Sequence, residues 1–485
     1  MQRYKILGPP GTGKTTRLLA LLEKELETVP PKRIAFVSFT RRGTYEGAQR
    51  AKERFAFDDA QLCHFRTLHS LCFRQTGSKH GRIMQKKDYY ELGKKLGLKF
   101  DVDESALAIL SEKNDATYLA ACSLAMHNPA TYDKLIVGLN YTKLLYVAKN
   151  LQAYKETYGC IDFTDMMFNY YKYGDPLDVD VVFVDEAQDL TTLQWVVVDK
   201  MFAGAKRMYI AGDDDQAIYT WAGADVDEFM KREAATEILQ QSNRLPVKVH
   251  RYALNVLKGI SHRTHKDFRP RDEQGDVDVA ISWTKALARV DRHTLILSRD
   301  RMELGRAAKA LQEAGLLYTY KGESSLPLGM RRAIETYEQW RTSPEPSFYP
   351  PLRSFEREWF SKTGLEIPWY DALKSRNNAQ YFKRVLERES RGEQQAHKIE
   401  LSTIHAAKGS ECEHVILALG YRLKTDSNYR RDPDSELRCL YVGATRAKQK
   451  LTLKLKEQSY GYPSFMQLDP RCWLDDAELK ADEWF

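Results

Sequence analysis

Gly8, Gly11, Gly13, Lys14 and Thr15 stand in the pattern G-x-x-x-x-G-K-[ST], inside the opening stretch MQRYKILGPPGTGKTT. Glycines at these places let successive backbone N–H groups curl around phosphate oxygens, and the N-terminus of the following helix adds partial positive charge. Lys14 reaches the outer phosphates, the Thr15 hydroxyl can ligate Mg²⁺, and Thr12 and Thr16 complete the binding loop. A carboxylate pair, Asp185 and Glu186, closes the apolar run of VFVDEAQDL. Open α/β sheets hold their ligands at the carboxyl ends of strands. Asp185 there would hold the metal through Thr15 or water, and Glu186 would orient or deprotonate water for in-line attack on a γ-phosphate. Hydrolysis, rather than transfer to a substrate hydroxyl, is the natural reaction of that arrangement.

These groups need a sheet to carry them. An apolar run at 4–7 precedes the loop, and TTRLLALLEKEL after it repeats Leu at helical spacing. RIAFVSF (33–39), DVVFVD (180–185) and RMYIA (207–211) read as buried parallel strands of one nucleotide-binding sheet. Between 77 and 158 the strand rhythm gives way to helical segments, including YTKLLYVAKNLQAYKETY. A second α/β series follows in DVDVAI (276–281), TLILS (294–298), EHVILAL (413–419) and QKLTLKL (449–455), interrupted by an irregular, Trp- and Arg-containing stretch at 324–398.

The chain of 485 residues has room for roughly three domains, and its 43% hydrophobic residues can build real cores. It holds no apolar run long enough to span a bilayer, and its start lacks the basic-then-apolar pattern of a signal peptide. The seven cysteines are scattered without a C-x-x-C pair, which points to reduced thiols in a cytoplasmic protein with no zinc or iron–sulfur site. A formal net charge of +7 permits a nucleic-acid partner without demanding one.

Five segments stand in a telling order: GPPGTGKT, VDEAQDL, GDDDQAIYTWAGAD (212–225), STIHAAKGSE (402–411) and LYVGATRAKQKL (440–451). In order and character they resemble the motifs of the UvrD/Rep-like superfamily 1 DNA helicases. Weaker matches at FVSFTRRGTYEGAQRAKERF, FRTLHSLCFR (65–74), IDFTDMM (161–167) and LQQSNRLP (239–246) fill the gaps. The resemblance implies an α/β fold of two RecA-like P-loop motor domains with parallel sheets, each interrupted by an inserted, mainly helical subdomain. On that pattern 1–76 and 159–248 form the first motor, 77–158 its helical insertion, 249–323 and 399–485 the second motor, and 324–398 a short second insertion. ATP and Mg²⁺ are the implied cofactors. The implied activity is ATP-driven translocation on single-stranded DNA, 3′ to 5′, with unwinding of tailed duplexes. Replication, repair or recombination proteins are the expected partners of a chain that is a monomer in isolation.

The resemblance also assigns roles. Gln216 is a γ-phosphate sensor, and Tyr219 and Trp221 are platforms on which bases stack without sequence preference. Arg244 and Arg446 would neutralise charge developing on the transferred phosphoryl group, and Glu411 would lie near the nucleotide sugar and phosphates. Phe39, Thr67, His69 and His405 are implied DNA contacts.

Several departures stand beside the matches. Only seven residues precede Gly8, where the family carries an adenine-reading glutamine motif, leaving Gln2 as the substitute. Asn243 stands where the family often has a tyrosine, and Ala222 where many relatives have an arginine. The second insertion is short, which keeps open an ATP-gated translocase or remodelling factor without robust unwinding. A P-loop kinase would use the loop but leave the motifs after Arg244 idle.

Overall fold

The computed structural model describes residues 1–38, 48–49, 52–58, 60–100, 115–136, 138–344, 352–393, 395–420 and 432–455. The chain divides into two compact units, Met1–Asn243 with Ser261–Arg269, and Arg244–Ile260 with Pro270–Phe485.

Among its described residues the first unit contains a five-stranded parallel sheet in the order Ile34–Ser38, Val181–Asp185, Arg207–Gly212, Gln2–Leu7 and Ala235–Ile238. Strand residues alternate between its two faces. Phe36, Phe183, Tyr209 and Ile6 face a core completed by Leu18, Leu19 and Leu22 of the helix Lys14–Leu26. Val37, Val184, Ile210 and Leu7 face the opposite core, which includes residues of Thr192–Met201 and Phe163–Tyr173. Burial on both faces explains why the central strands read as continuous apolar runs. Ala235–Ile238 is an edge strand whose four residues are all exposed, so no apolar run announces it.

The helical reading of 77–158 corresponds to Lys86–Leu96, Ala116–His127, Pro129–Ile136 and Tyr141–Tyr158, with a core around Leu92, Leu119, Val147 and Leu151. The helix Tyr141–Tyr158 starts at Asn140, whose side chain accepts from the Lys143 N–H, and stops at Gly159 in the left-handed conformation.

Among its described residues the second unit contains a seven-stranded sheet in the order Glu323–Ser324, Thr319–Tyr320, Ile399–Thr403, Thr294–Ser298, Cys412–Ala418, Ala447–Lys454 and Asp276–Ala280. Every pairing is parallel except the one between Thr319–Tyr320 and Glu323–Ser324. The stretch at 324–398, read as irregular from sequence, instead carries the helices Leu328–Arg341 and Arg376–Ser390 on their own core of Ile334, Tyr337, Phe360, Trp369 and Phe382. Tyr337 and Phe360 stack at 5.0 Å there.

In the first sheet the Phe183 ring stacks on Tyr209 at 4.9 Å and on Phe36 at 6.1 Å with no solvent exposure. Phe183→Ala should cost the first unit about 3–5 kcal/mol in urea unfolding, through lost transfer energy and the cavity left behind. A loss under about 1 kcal/mol would show that the stack is not the core of that sheet.

Candidate nucleotide and nucleic-acid site

The phosphate loop leaves the carboxyl end of Gln2–Leu7 and enters the helix Lys14–Leu26. Gly11 and Gly13 adopt φ of 75° and 83°, the left-handed region that a side chain would strain. Gly8 is required for another reason: a Cβ there would lie 2.2 Å from Lys14 Cγ. The Gly8 N–H donates to Gly212 O at 3.1 Å, and Lys14 Nζ donates to Gly8 O at 2.9 Å. Thr12 Oγ1 donates to Pro9 O at 2.8 Å, closing the turn, and Thr16 stands exposed on the first helical turn. Gly13 offers no side-chain cap and the first turn holds no acidic residue, so nothing anionic from the helix itself competes for its N–H groups.

Asp185 ends its strand 2% exposed, and Thr15 Oγ1 donates to its Oδ2 at 3.1 Å. Burial, and then the neighbouring Glu186 carboxylate, push the Asp185 carboxyl up to about 6 against the opposing pull of Lys14. Glu186 has φ 51°, a left-handed conformation unusual for a non-glycine residue and of the sort held at functional sites by its surroundings. Gln188, wholly buried, donates its Nε2 to Glu186 Oε2 at 2.5 Å and accepts the Asp213 N–H on its Oε1 at 3.0 Å. Asp213 Oδ2 in turn accepts from Gln216 Nε2 at 2.6 Å. A hydrogen-bonded path thus runs from Glu186 to Gln216. Gly212 makes it possible, since a Cβ at that position would meet Gln188 Oε1 at 2.6 Å.

Thr15 and Asp185 present a hydroxyl and a carboxylate oxygen, the hard donors Mg²⁺ prefers, and a cation would relieve the charge burial opposes on Asp185. Among the described residues no three His, Cys, Asp or Glu gather into a metal site of their own. Thr15 and Asp185 would give such an ion two oxygen ligands.

Tyr219, three residues beyond Gln216, precedes the short turn Thr220–Ala222 and Trp221 lies within it; both are half-buried, with ring centroids 6.4 Å apart and tilted by 58°. Gly223, at φ 99°, ends the turn and accepts from Asn128 Nδ2 at 3.1 Å. Thr67 caps the helix Leu68–His80 by accepting from the Ser70 N–H, and the His69 ring packs edge-on against Phe163 at 5.6 Å. Phe39 lies outside the described residues.

Gln2, the substitute base reader, is overturned by the sheet. It sits at the amino end of the strand whose carboxyl end carries Gly8, so about 20 Å of extended chain separates the two. Its side chain accepts instead from the Tyr4 hydroxyl. Asn243, which stands where a tyrosine was expected, donates its backbone N–H to Gly11 O at 2.9 Å, and Ser242 Oγ donates to Pro10 O at 2.7 Å. Sequence reasoning gave no sign of this docking of 242–243 on the phosphate loop.

In the second unit, Arg244, Glu411 and Arg446 come together. Arg244 Nε donates to Glu411 Oε2 at 2.7 Å, and Lys448 Nζ lies 3.1 Å from Glu411 Oε1. Burial acts to raise the Glu411 carboxyl, but Arg244 and Lys448 outweigh it and hold it below its ordinary value. Arg446 is 1% exposed, donating from Nε to Val442 O at 2.9 Å and from Nη1 to Ser410 O at 3.2 Å. Lys448 is the member that sequence reasoning missed, although it lies two residues past Arg446 in the same motif. His405 lies half-buried in the turn after Ile399–Thr403.

The Asp185 geometry has a measurable consequence. A carboxyl held near 6 in the folded chain and 3.8 when unfolded stabilises the fold only while protonated, so stability falls as pH rises from about 4 through 6. Without metal or nucleotide, Asp185→Asn should unfold like the parent near pH 4 and exceed it at pH 8 by on the order of 1–3 kcal/mol. A variant less stable than the parent at pH 8 would contradict this.

Residues 1–237 match the family model of the UvrD/REP helicase N-terminal domain, and residues 371–458 that of the UvrD-like helicase C-terminal domain. The ATP-dependent DNA helicase PcrA of Staphylococcus aureus is 24% identical over 342 residues, covering 66% of this chain and 46% of that protein. PcrA of Staphylococcus epidermidis is 25% identical over the same shares. The chain thus spans about half the length of the curated relatives it matches. A solved PRRSV helicase structure covers 94% of this chain and 53% of its own at a TM-score of only 0.35 and 10% identity. The first match takes in the phosphate loop and its parallel sheet, the second the later motifs on theirs; both sheets are of the RecA-like motor kind, and the chain belongs to the UvrD/Rep-like superfamily 1 helicases.

Proposed function

We propose that this chain is an ATP-dependent DNA helicase and translocase that steps 3′ to 5′ along single-stranded DNA and unwinds tailed duplexes. The observation that carries the proposal is the segment 212–225. It joins Gln216, hydrogen-bonded through Asp213 and Gln188 toward Glu186, to the aromatic pair Tyr219 and Trp221 three to five residues on. A change at the γ-phosphate is then felt in the loop that grips bases.

In this reading the loop Gly8, Gly11, Thr12, Gly13, Lys14, Thr15 and Thr16 binds the phosphates. Mg²⁺, held by Thr15 and Asp185, would neutralise charge on the phosphate oxygens. Glu186 takes a proton from, or orients, the water whose oxygen bonds the γ-phosphorus as the β–γ bridging P–O bond breaks. Gln216 reports the loss of the γ-phosphate. Arg244 and Arg446 supply positive charge to the transferred group, and Glu411 holds Arg244 ready near the nucleotide. Tyr219 and Trp221 stack on bases, with Thr67, His69, His405 and Phe39 as further DNA contacts. The motors comprise 1–76 with 159–248, and 249–323 with 399–485. The segments 77–158 and 324–398 are their insertions.

A second reading has its own observation. The second insertion is a short unit closed around one aromatic core, which suits a translocase or remodeller that clears single strands without opening duplexes. Tailed duplexes separate the two: displacement of 3′-tailed but not 5′-tailed substrate is expected of the helicase, and ATP-driven translocation without displacement of the remodeller.

Glu186→Gln should retain ATP and single-stranded DNA binding while abolishing DNA-stimulated hydrolysis; retained turnover would reject the assignment of Glu186. Trp221→Ala should weaken single-stranded DNA binding by about 1–3 kcal/mol irrespective of sequence, and an unchanged affinity would remove Trp221 from the DNA contacts.

A further inference from the structure

The short segment Ser261–Arg269 belongs to the first unit, although the chain on either side of it belongs to the second. Its Lys266 is buried, with Nζ 3.1 Å from Asp213 Oδ1, 2.5 Å from Asp214 Oδ1 and 2.9 Å from Asp215 Oδ2. These three consecutive carboxylates are each 0% exposed. Arg263 meets Asp215 with two parallel hydrogen bonds of 2.8 and 2.7 Å, and the Thr264 N–H donates to Asp214 Oδ2 at 2.7 Å. Lys5, on the strand Gln2–Leu7, also feels the charge of Asp214. Three carboxylates cannot be buried side by side unless cations are buried with them, and removing one partner leaves an uncompensated charge.

The acidic triplet is also part of the path described above. Asp213 gives one carboxylate oxygen to Lys266 and the other to Gln216 Nε2, and its backbone N–H goes to Gln188, which holds Glu186. Bonding Nε2 to Asp213 fixes the orientation of the Gln216 amide and turns its acceptor oxygen away from that carboxylate. The rotamer of Asp213 therefore bears on the Gln216 amide, and Lys266 holds that rotamer together with the Asp215 N–H, which donates to Asp213 Oδ1 at 3.2 Å.

We propose that Lys266, supported by Arg263, is a positioning residue for ATP hydrolysis that acts through Asp213 on Gln216. It need not touch nucleotide or DNA. The inference rests on the reading of Glu186 and Gln216 given above. It adds that a segment inserted from the sequence of the second unit holds the γ-phosphate sensor of the first in its working orientation.

A double-mutant cycle on DNA-stimulated ATP hydrolysis tests it. Lys266→Met should lower kcat by about tenfold or more and leave the KM for ATP within about twofold. In the Gln216→Ala background the same change should lower kcat by no more than about twofold further, because both substitutions remove one interaction. If Lys266→Met alone does not fold, the charge-matched pair D214N/K266M, which removes one carboxylate with the cation, carries the same cycle with the same expectation. Losses that multiply across the cycle, or a KM effect with kcat unchanged, would overturn the positioning role. A parent chain whose hydrolysis does not respond to single-stranded DNA would instead reject the underlying motor reading.

Discussion

The Gln188 side chain is the interaction on which the rest of the first unit's site depends. It sits at the carboxyl ends of two adjacent strands and uses both ends of its amide, one for Glu186 and one for the Asp213 backbone. The amide has no exposure to water, so each of these bonds would be expensive to lose. Around it the chain accepts local constraints: Glu186 adopts a left-handed backbone, and position 212 tolerates nothing larger than glycine. The carboxylate read as the water-orienting group and the loop read as sensor and base platform are held together by one neutral side chain.

The electrostatics around that bridge divide into two cases. Asp185 is buried beside another carboxylate, and burial and that neighbour together raise its carboxyl above the ordinary range. Asp213, Asp214 and Asp215 are equally buried, but their cations come from the protein, as Lys266 and Arg263. Burial works against the charge on Lys266, yet the three carboxylates overrule it and keep its ammonium well above its ordinary value. One acidic site is thus left for a ligand to complete, while the other is closed by the fold. In the second unit Glu411 is held between Arg244 and Lys448, but at an exposed position.

The sequence was most legible where physics leaves a local trace. Strands buried on both faces, such as Val181–Asp185 and Thr294–Ser298, show as apolar runs, and the glycines of the phosphate loop occupy positions that demand their backbone freedom or lack of a side chain. The helix Tyr141–Tyr158 spans the same residues as the segment read from the sequence. Edge strands such as Ala235–Ile238 lack an apolar run because their side chains face water, and Ile399–Thr403 mixes buried with exposed and half-buried positions as it leads into the motif at 402–411. Gln2 misled because closeness in sequence to Gly8 becomes, in an extended strand, the far edge of a sheet. The acidic triplet is paired by Lys266, about 50 residues away, and no local pattern encodes that pairing. The second insertion looked irregular because its two longer helices carry many charged residues on the faces that stay in water.

In the proposed reading, nucleotide state and grip on single-stranded DNA are coupled through the loop 212–225. The most direct measurement is the affinity of the parent chain for a fluorescent single-stranded oligonucleotide with no nucleotide, with ADP, and with a non-hydrolysable ATP analogue, all at one salt concentration. Such coupling predicts affinities that differ among these states by about fivefold or more, the scale of an ordinary coupling free energy. Equal affinities in all three states would contradict it.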